Sequence, residues 1–273
     1  MKEVLRRSST DFGNSDVSLY GRIGTAHLTS RTCKFDIYLL CLEILDTIMN
    51  ERYSRQTMLD EIGPGGQQKM LASKVLIVGA GGLGSPVAMY LCAAGIGHIG
   101  IADDDTVSLS NLQRQVLYSE DMLGLPKAAE AAERLSAMNS GIEVIPIKSR
   151  IDTVNAEDII KDFEIIVDCC DNYRTRAMLC DKCRKNGKTY IYGAIQGFEG
   201  QVSVFDETTA GYADLFPTPP ENPSSAVLGM TAGIVGCVQA GEVVKTICGF
   251  GDTLRNKLWT IDLRTMQSYI IEL

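Results

Sequence analysis

Short apolar runs alternate with amphipathic stretches between residues 75 and 192 of this chain. Runs rich in valine and isoleucine predict buried strands, and apolar residues at helical spacing predict the helices between them. Strands are predicted at 75–78, 98–102, 143–147, 164–168 and 189–192, and helices at 84–95, 126–139, 154–161 and 172–186. This alternation predicts an α/β fold with a doubly wound, mostly parallel sheet covered by helices on both faces.

The C-terminal part of the chain has a different pattern. Strands are predicted at 201–205, 257–261 and 268–271, and a long apolar stretch predicts a helix over about 230–248. These strands should extend the parallel sheet as antiparallel neighbours. Residues 208–225, rich in proline, glycine and serine, form a loop long enough to predict that it covers or adjoins the functional site.

Residues 1–50 differ from the rest of the chain. A polar opening rich in serine, threonine and glycine is followed by apolar residues at helical spacing over 35–49. We predict a partly flexible N-terminal extension with one amphipathic helix, and a single main domain over residues 51–273.

A glycine turn follows the first predicted strand. Gly79, Gly81, Gly82 and Gly84 form a Gly-x-Gly-x-x-Gly pattern between strand and helix, and Asp103 follows Gly84 by nineteen residues. In a Rossmann-like fold such glycines let backbone N–H groups approach a nucleotide, and the acid accepts a ribose hydroxyl. The pattern predicts a nucleotide site, and taken by itself it also suits a nicotinamide-dependent oxidoreductase.

Three charged residues indicate phosphate chemistry. Arg114, Lys127 and Asp171 follow predicted strands, where ligands bind in open α/β sheets. Each has an ordinary alternative, since Arg114 and Lys127 could be solvated surface charges and Asp171 could cap the next helix. All three together favour phosphate chemistry, and a dehydrogenase has no evident use for them.

Four separate motifs occur in one order along the chain: Arg52–Gln56, Asp103–Gln115, Gly124–Lys127 and Asp168–Asn172. Together they resemble the ThiF/MoeB/HesA family, relatives of the ubiquitin-activating enzymes. The resemblance covers about residues 51–273.

The resemblance implies an ATP- and Mg²⁺-dependent adenylyltransferase. Its substrate would be the C-terminal Gly-Gly carboxylate of a small ubiquitin-like sulfur carrier protein of thiamine, molybdopterin or related sulfur metabolism. Asp171 would hold Mg²⁺, and Arg55 would reach into the site of a partner subunit, which implies a homodimer. Arg55, Arg114, Lys127 and Asp171 would be catalytic. The implied nucleotide-binding residues are Gly79, Gly81, Gly82, Gly84, Asp103, Asp105, Ser110, Asn111, Leu112, Gln113, Arg114, Lys127, Asp171 and Asn172.

The chain departs from the family pattern in its cysteines. Many members hold zinc with two C-x-x-C pairs, but Gly211 and Asp214 stand at the first pair and the C-terminus has none. We expect no zinc site, and packing around Phe216 and Trp259 in its place. Residues 222–227 lack the thiol that some members use, so we expect no thioester or persulfide step. Cys237 is predicted to be a packed core residue.

Composition excludes some classes of partner and indicates the cellular compartment. A net charge of -8 argues against nucleic acid and anionic membranes. The most apolar short run, residues 37–45, is too short to span a bilayer. Nine cysteines without a disulfide framework, the pair Cys180 and Cys183 within a helix among them, and no apolar signal segment indicate the reducing cytoplasm.

Three alternatives to the leading hypothesis stay open. The chain could be a non-catalytic scaffold, like the inactive subunits among relatives of the ubiquitin-activating enzymes. It could adenylate a ribosomal peptide instead of a carrier protein. A nicotinamide-dependent oxidoreductase is the third alternative, and cofactor binding separates it from the others.

Overall fold

A computed structural model of the protein describes residues 51–218 and 226–273. Residues 51–57 are helical. The strands that follow are β1 (Lys74–Val78), β2 (His98–Ala102), β3 (Glu143–Ile147), β4 (Ile165–Asp168), β5 (Thr189–Gln196), β6 (Glu199–Phe205), β7 (Lys257–Asp262) and β8 (Gln267–Glu272). The α-helices are α1 (Gly63–Ala72), α2 (Gly84–Ala94), α3 (Lys127–Met138), α4 (Ala156–Ile160), α5 (Tyr173–Lys185), α6 (Tyr212–Leu215) and α7 (Gly229–Cys248).

All eight of these strands form one sheet, in the order β3-β2-β1-β4-β5-β6-β7-β8. The neighbours from β3 to β5 are parallel, and the neighbours from β5 to β8 are antiparallel. The predicted fold class, a doubly wound sheet extended by C-terminal antiparallel strands, is therefore confirmed.

The core has two layers, one on each face of the sheet. Val75 and Ile77 of β1 pack into one layer, and Leu76 and Val78 pack into the other. Successive side chains of a strand point to opposite faces, so a strand covered on both faces is apolar at every position. This is why the central strands appear in the sequence as unbroken apolar runs.

Helix α1 was not predicted from the sequence. It opens with Gly63, Pro64, Gly65 and Gly66, residues that usually mark a turn. Proline in the first turn of a helix is tolerated because the N–H it lacks would have no partner there. Met70 is fully buried, and contacts of this kind outweigh the weak helix propensity of the glycines.

The other differences are small. Strand β5 continues to Gln196 and joins β6 in a hairpin around Gly197 and Phe198, beyond the predicted end at residue 192. Cys180 and Cys183 lie inside α5 with both thiols buried, as the sequence predicted. The predicted helix over 35–49 and residues 219–225 of the predicted loop lie outside the described residues.

The outer end of the antiparallel extension has little cover. Every residue of β8, an edge strand of the sheet, is exposed, including Tyr269, Ile270 and Ile271. Among the described helices, none is both long and apolar enough to cross a membrane.

Candidate active site

The strand order reverses direction between β1 and β4, since β2 and β3 lie on one side of β1 and β5 lies beyond β4. In open α/β sheets the crevice at the carboxyl ends of such strands binds ligands. Gly79 follows β1 and Cys169 follows β4, and a Cβ added to Gly79 would lie 2.5 Å from the carbonyl oxygen of Cys169. Gly79 has a φ of +98°, which also favours glycine. The two loops therefore meet at the point where a nucleotide is expected.

The glycine turn leads into helix α2. A Cβ on Gly84 would overlap the carbonyl oxygen of Gly79, so strand, turn and helix are packed as closely as a backbone allows. Within the described part of the chain, no side chain caps the N-terminus of α2. Uncapped N–H groups at a helix N-terminus form an anion site, which suits the phosphates of a nucleotide.

Asp103 braces this turn from the end of β2. Its Oδ2 accepts a hydrogen bond from the Ala80 N–H at 2.7 Å, and its Oδ1 accepts one from the Asp105 N–H at 2.8 Å. Asp105 in turn forms an ion pair of 3.0 Å with Lys127, the first residue of α3. The Lys127 side chain is 5% exposed, so its ammonium is nearly buried beside Asp105, at the same edge of the sheet as the glycine turn.

Arg114 lies over the glycine turn. A Cβ on Gly82 would be 3.3 Å from Cδ of Arg114, and the guanidinium donates to the Ser110 carbonyl at 3.1 Å. Leu112 anchors this loop by packing against the core. Gln113 is exposed, and Asn111 is half-buried. The structure thus brings Ser110 to Arg114 to the turn as one segment, with Leu112 pointing inward.

Gln115 is a residue of this segment that the sequence interpretation did not assign to the site. It is 4% exposed, and its Nε2 lies 3.4 Å from the position of a Cβ on Gly81. Its buried Oε1 has no hydrogen-bond partner among residues 51–218 and 226–273. A buried amide without a partner is costly. An amide in this position beside the turn suits a ligand that completes its hydrogen bonds, and its burial could not be predicted from a polar motif.

Asp171 and Asn172 follow β4. Asn172 caps α5, because its Oδ1 accepts from the Thr175 N–H at 2.9 Å. The ordinary alternative for Asp171, that it serves as this cap, is therefore wrong. Its carboxylate is exposed beside the Asn172 amide, 3.5 Å away. Carboxylate oxygens are ligands that Mg²⁺ prefers, so the exposed Asp171 carboxylate fits a magnesium ion, whereas the Asn172 amide oxygen is used by the helix cap.

A second group of acids follows β2. Carboxylate oxygens of Asp103, Asp104 and Asp105 lie within 4.8 Å of one another. Asp103 already accepts two backbone N–H groups, and Asp105 is paired with Lys127. Asp171 is the better candidate because no ion pair to its carboxylate occurs within the described residues.

Arg55 lies at the opposite end of the sheet from the glycine turn. Its helical segment, residues 51–57, contacts the C-terminal end of α2, where Gln56 donates to the Ala94 carbonyl at 2.8 Å. Helix α2 has 11 residues, a length of roughly 16 Å at 1.5 Å per residue. Arg55 is exposed, and this separation keeps it from the site of its own chain.

The thiols near the crevice, those of Cys169 and Cys170, have raised pKa values. Burial raises the pKa of Cys169 and of Cys170 well above the usual value, and the Asp168 carboxylate raises it further. Both therefore stay protonated at neutral pH, and a thiol reacts as its thiolate.

The prediction for Cys237 was wrong. The residue is exposed, because α7 turns Val235, Gln239 and Val243 toward the core and Cys237 lies on another face. Helix α7 is apolar on nearly every side, so its sequence does not distinguish the buried face.

Residues 211–216, where the family resemblance would place the first cysteine pair, hold a helix cap and an aromatic contact. Asp214 Oδ2 accepts from the Gly211 N–H at 2.7 Å and caps α6. Phe216 stacks beside Tyr212 and Tyr192, with ring centroids 4.9 and 5.7 Å apart. The prediction of packing around Phe216 holds, whereas Trp259 packs against the core on the other face of the sheet.

We expect the purified protein to contain no stoichiometric zinc. Aromatic packing and the Asp214 cap occupy the place of the first ligand pair, and the described cysteines form no metal-binding group. Elemental analysis checks this, together with the melting temperature before and after treatment with a strong chelator. One zinc per chain, or a large fall in melting temperature on chelation, would contradict it.

The model of the ThiF family matches residues 53–273. This chain belongs to the ThiF family. The match spans all strands from β1 to β8 and the helices α1 to α7, and it confirms the resemblance seen in the sequence motifs.

Relatives with assigned names are similar over most of the chain. The SAMP-activating enzyme E1 of Haloferax volcanii is 40% identical over 228 residues, which is 81% of this chain and 84% of that protein. The sulfur carrier protein adenylyltransferase of Thermus thermophilus is 40% identical over 224 residues, 78% of this chain and 83% of its own length. The adenylyltransferase and sulfurtransferase MOCS3-1 of Zea mays is 38% identical over 81% of this chain, which spans only 49% of that longer protein.

Solved structures share the fold. E. coli MccB, crystallised with AMPCPP and MccA, superimposes with a TM-score of 0.72 at 23% identity over 90% of this chain and 80% of its own. PaaA gives a TM-score of 0.70 at 25% identity over 82% of this chain and 73% of that one.

Proposed function

We propose that this chain, an adenylyltransferase of the ThiF family, uses ATP and Mg²⁺ to adenylate the C-terminal Gly-Gly carboxylate of a small ubiquitin-like sulfur carrier protein. The names of its relatives in Haloferax and Thermus support this substrate class. The geometry that supports the proposal is the position of three loops around the glycine turn: Arg114 lies beside Gly82, Lys127 is paired with Asp105, and Asp171 follows the Cys169 that contacts Gly79.

In this reaction a carboxylate oxygen of the carrier bonds to the α-phosphorus of ATP, and the bond to the bridging oxygen breaks as pyrophosphate leaves. Two anions must approach each other, so the barrier is mainly electrostatic. Bound Mg²⁺ would supply charge neutralisation on the phosphates. Asp171 would hold the ion, and Arg114 would offset charge on the phosphate oxygens.

Lys127 has a more specific role in this proposal. Its ammonium is paired with Asp105 at 3.0 Å and is nearly buried. The ion pair with Asp105 orders the Lys127 side chain. Phosphate oxygens of a bound nucleotide would compete with Asp105 for the ammonium. A side chain that is already ordered loses less conformational entropy on binding.

The proposed enzyme is a homodimer. Arg55 lies too far from the glycine turn of its own chain to reach that nucleotide, so a second copy would supply it. An arginine provided in trans stabilises the charge of a phosphoryl-transfer transition state.

We propose that no covalent bond forms between enzyme and carrier. Residues 222–227 contain no cysteine, and the two thiols beside the crevice have raised pKa values. The reaction would then end at the acyl adenylate, which a separate sulfur donor consumes.

Exchange of labelled pyrophosphate into ATP tests the function. We expect Mg²⁺-dependent exchange with a ubiquitin-like carrier that ends in Gly-Gly, and none with the same carrier shortened by its last two glycines. Exchange with a short peptide instead of any carrier would favour the peptide-adenylating alternative. Tight binding of NAD, with no exchange in the presence of either substrate, would support the oxidoreductase.

A further inference from the structure

A buried polar cluster lies beneath the loop that carries Asp171. It consists of Asp168 at the end of β4, Arg176 in the first turn of α5 and Gln239 in α7. Asp168 and Gln239 are fully buried, and the Arg176 side chain is 14% exposed. Three separate elements therefore place polar side chains at one point below the crevice.

These side chains fix the backbone that leads to Asp171. Asp168 Oδ1 accepts from the Cys170 N–H at 2.9 Å, and the Asp168 carbonyl accepts from Gln239 Nε2 at 2.7 Å. Arg176 Nη2 donates to the Cys170 carbonyl at 2.6 Å. Asp171 is thus an exposed side chain that follows a backbone held at Asp168 and at Cys170.

Stability is a weak explanation for this cluster. Asp168 Oδ2 and Arg176 Nε lie 3.4 Å apart, yet neither atom makes a hydrogen bond of good geometry. Burying two charges costs more than such a pair returns, and apolar residues of similar volume often stabilise a core better. The two charges are better explained by the hydrogen bond from the Arg176 guanidinium to the carbonyl of Cys170, the residue before Asp171.

We infer that Asp168 and Arg176 are positioning residues that set the carboxylate of Asp171 for the metal ion. The inference rests on the proposed function, in which Asp171 is the ligand. Arg176 spans the Asp168 carboxylate and the Cys170 carbonyl at once because a guanidinium offers several N–H groups in a plane. A lysine has the same charge but only one compact ammonium, so it cannot reproduce this geometry.

The test measures metal binding, so that it depends on neither turnover nor carrier. The protein, held in excess over α,β-methylene-ATP so that no free nucleotide chelates the ion, is titrated with Mn²⁺, and free Mn²⁺ is followed by electron paramagnetic resonance. We expect Arg176→Lys to weaken Mn²⁺ binding by about 10- to 100-fold, the usual cost of losing a residue that orients a ligand. Affinity for the nucleotide without metal should be unchanged.

Arg184 is a matched control on the same helix. Its Nε donates to the Asp206 carbonyl at 3.0 Å and its Nη2 to the Thr209 carbonyl at 2.6 Å, so it also holds a loop, but one away from Asp171. Arg184→Lys should leave Mn²⁺ binding within about twofold of wild type, since it touches no residue of the loop after β4. Equal weakening in both variants, or wild-type binding in a folded Arg176→Lys, would overturn the inference.

Two further variants keep the outcomes separate. If Arg176→Lys does not fold, the double variant Asp168→Asn with Arg176→Gln removes both charges together and is expected to weaken Mn²⁺ binding in the same way. Asp171→Ala must lose Mn²⁺ binding in this assay. If it binds Mn²⁺ like wild type, the metal role in the proposed function fails and the inference with it. If only the Arg176 variants bind normally, the positioning role alone fails.

Discussion

Asp171→Ala is expected to lower carrier-dependent exchange of pyrophosphate into ATP by about 10³-fold or more, the scale of losing a group that acts on transition-state charge. The carboxylate caps no helix and pairs with no cation among the described residues, so its removal should cost little folding stability. The exchange rate and the melting temperature, measured on one preparation, test both parts of this expectation.

Asp104→Ala is the control for that variant. Asp104 is an exposed acid that follows β2 at the same edge of the sheet, so it adds a comparable charge to the surroundings. We expect it to change exchange by less than about threefold, because exposed charges act weakly at a distance in salt. Similar losses in both variants would mean that the general negative field of this edge matters, and not a ligand at Asp171.

The Arg55→Ala variant should lose about three powers of ten in exchange activity, the lower end of what an arginine supplied in trans contributes. Mixing it with Asp171→Ala should restore activity, because a mixed dimer contains one site with an intact Asp171 and an Arg55 from the other chain. Random mixing would return up to about a quarter of wild-type activity. The measurement is the exchange rate after the two purified variants are dissociated together and reassembled.

Arg52→Ala is the matched control for Arg55. Arg52 is exposed on the same helical segment, and its guanidinium donates to the Met138 carbonyl at 3.3 Å. This exposed bond is worth about 1 kcal/mol or less, so exchange should stay near wild type. Inactive mixtures of Arg55→Ala and Asp171→Ala, in dimers confirmed by light scattering, would contradict the role of Arg55 in trans.

Elements marked by a continuous apolar run or by closely packed glycines could be predicted from the sequence. Residues 75–78 of β1 are all apolar because both faces of the strand are covered there, and the glycine turn after them has little room for a side chain at Gly79 or Gly84. Helix α1 and the end of β5 lacked such a signal. Their glycines favour turns locally, and tertiary packing decided otherwise.

Some parts of the candidate site could likewise be predicted from the sequence, and others could not. Residues at the ends of strands, Asp103 and Asp171 among them, could be located because the ends of parallel strands meet at one edge. The buried cluster below these residues could not be predicted. Its members Asp168, Arg176 and Gln239 come from elements up to 71 residues apart in the sequence. One signal was available, a charged residue closing the apolar run Ile165–Val167, because a buried acid needs a partner.

Strand β8 has a practical consequence for work with the isolated protein. An edge strand leaves one row of backbone N–H and C=O groups unpaired, and the exposed Tyr269, Ile270 and Ile271 make this one attractive to other chains. We expect concentrated stocks to associate slowly through this edge well below the melting temperature. Storage conditions, and not heat, would then limit how long a sample keeps its activity.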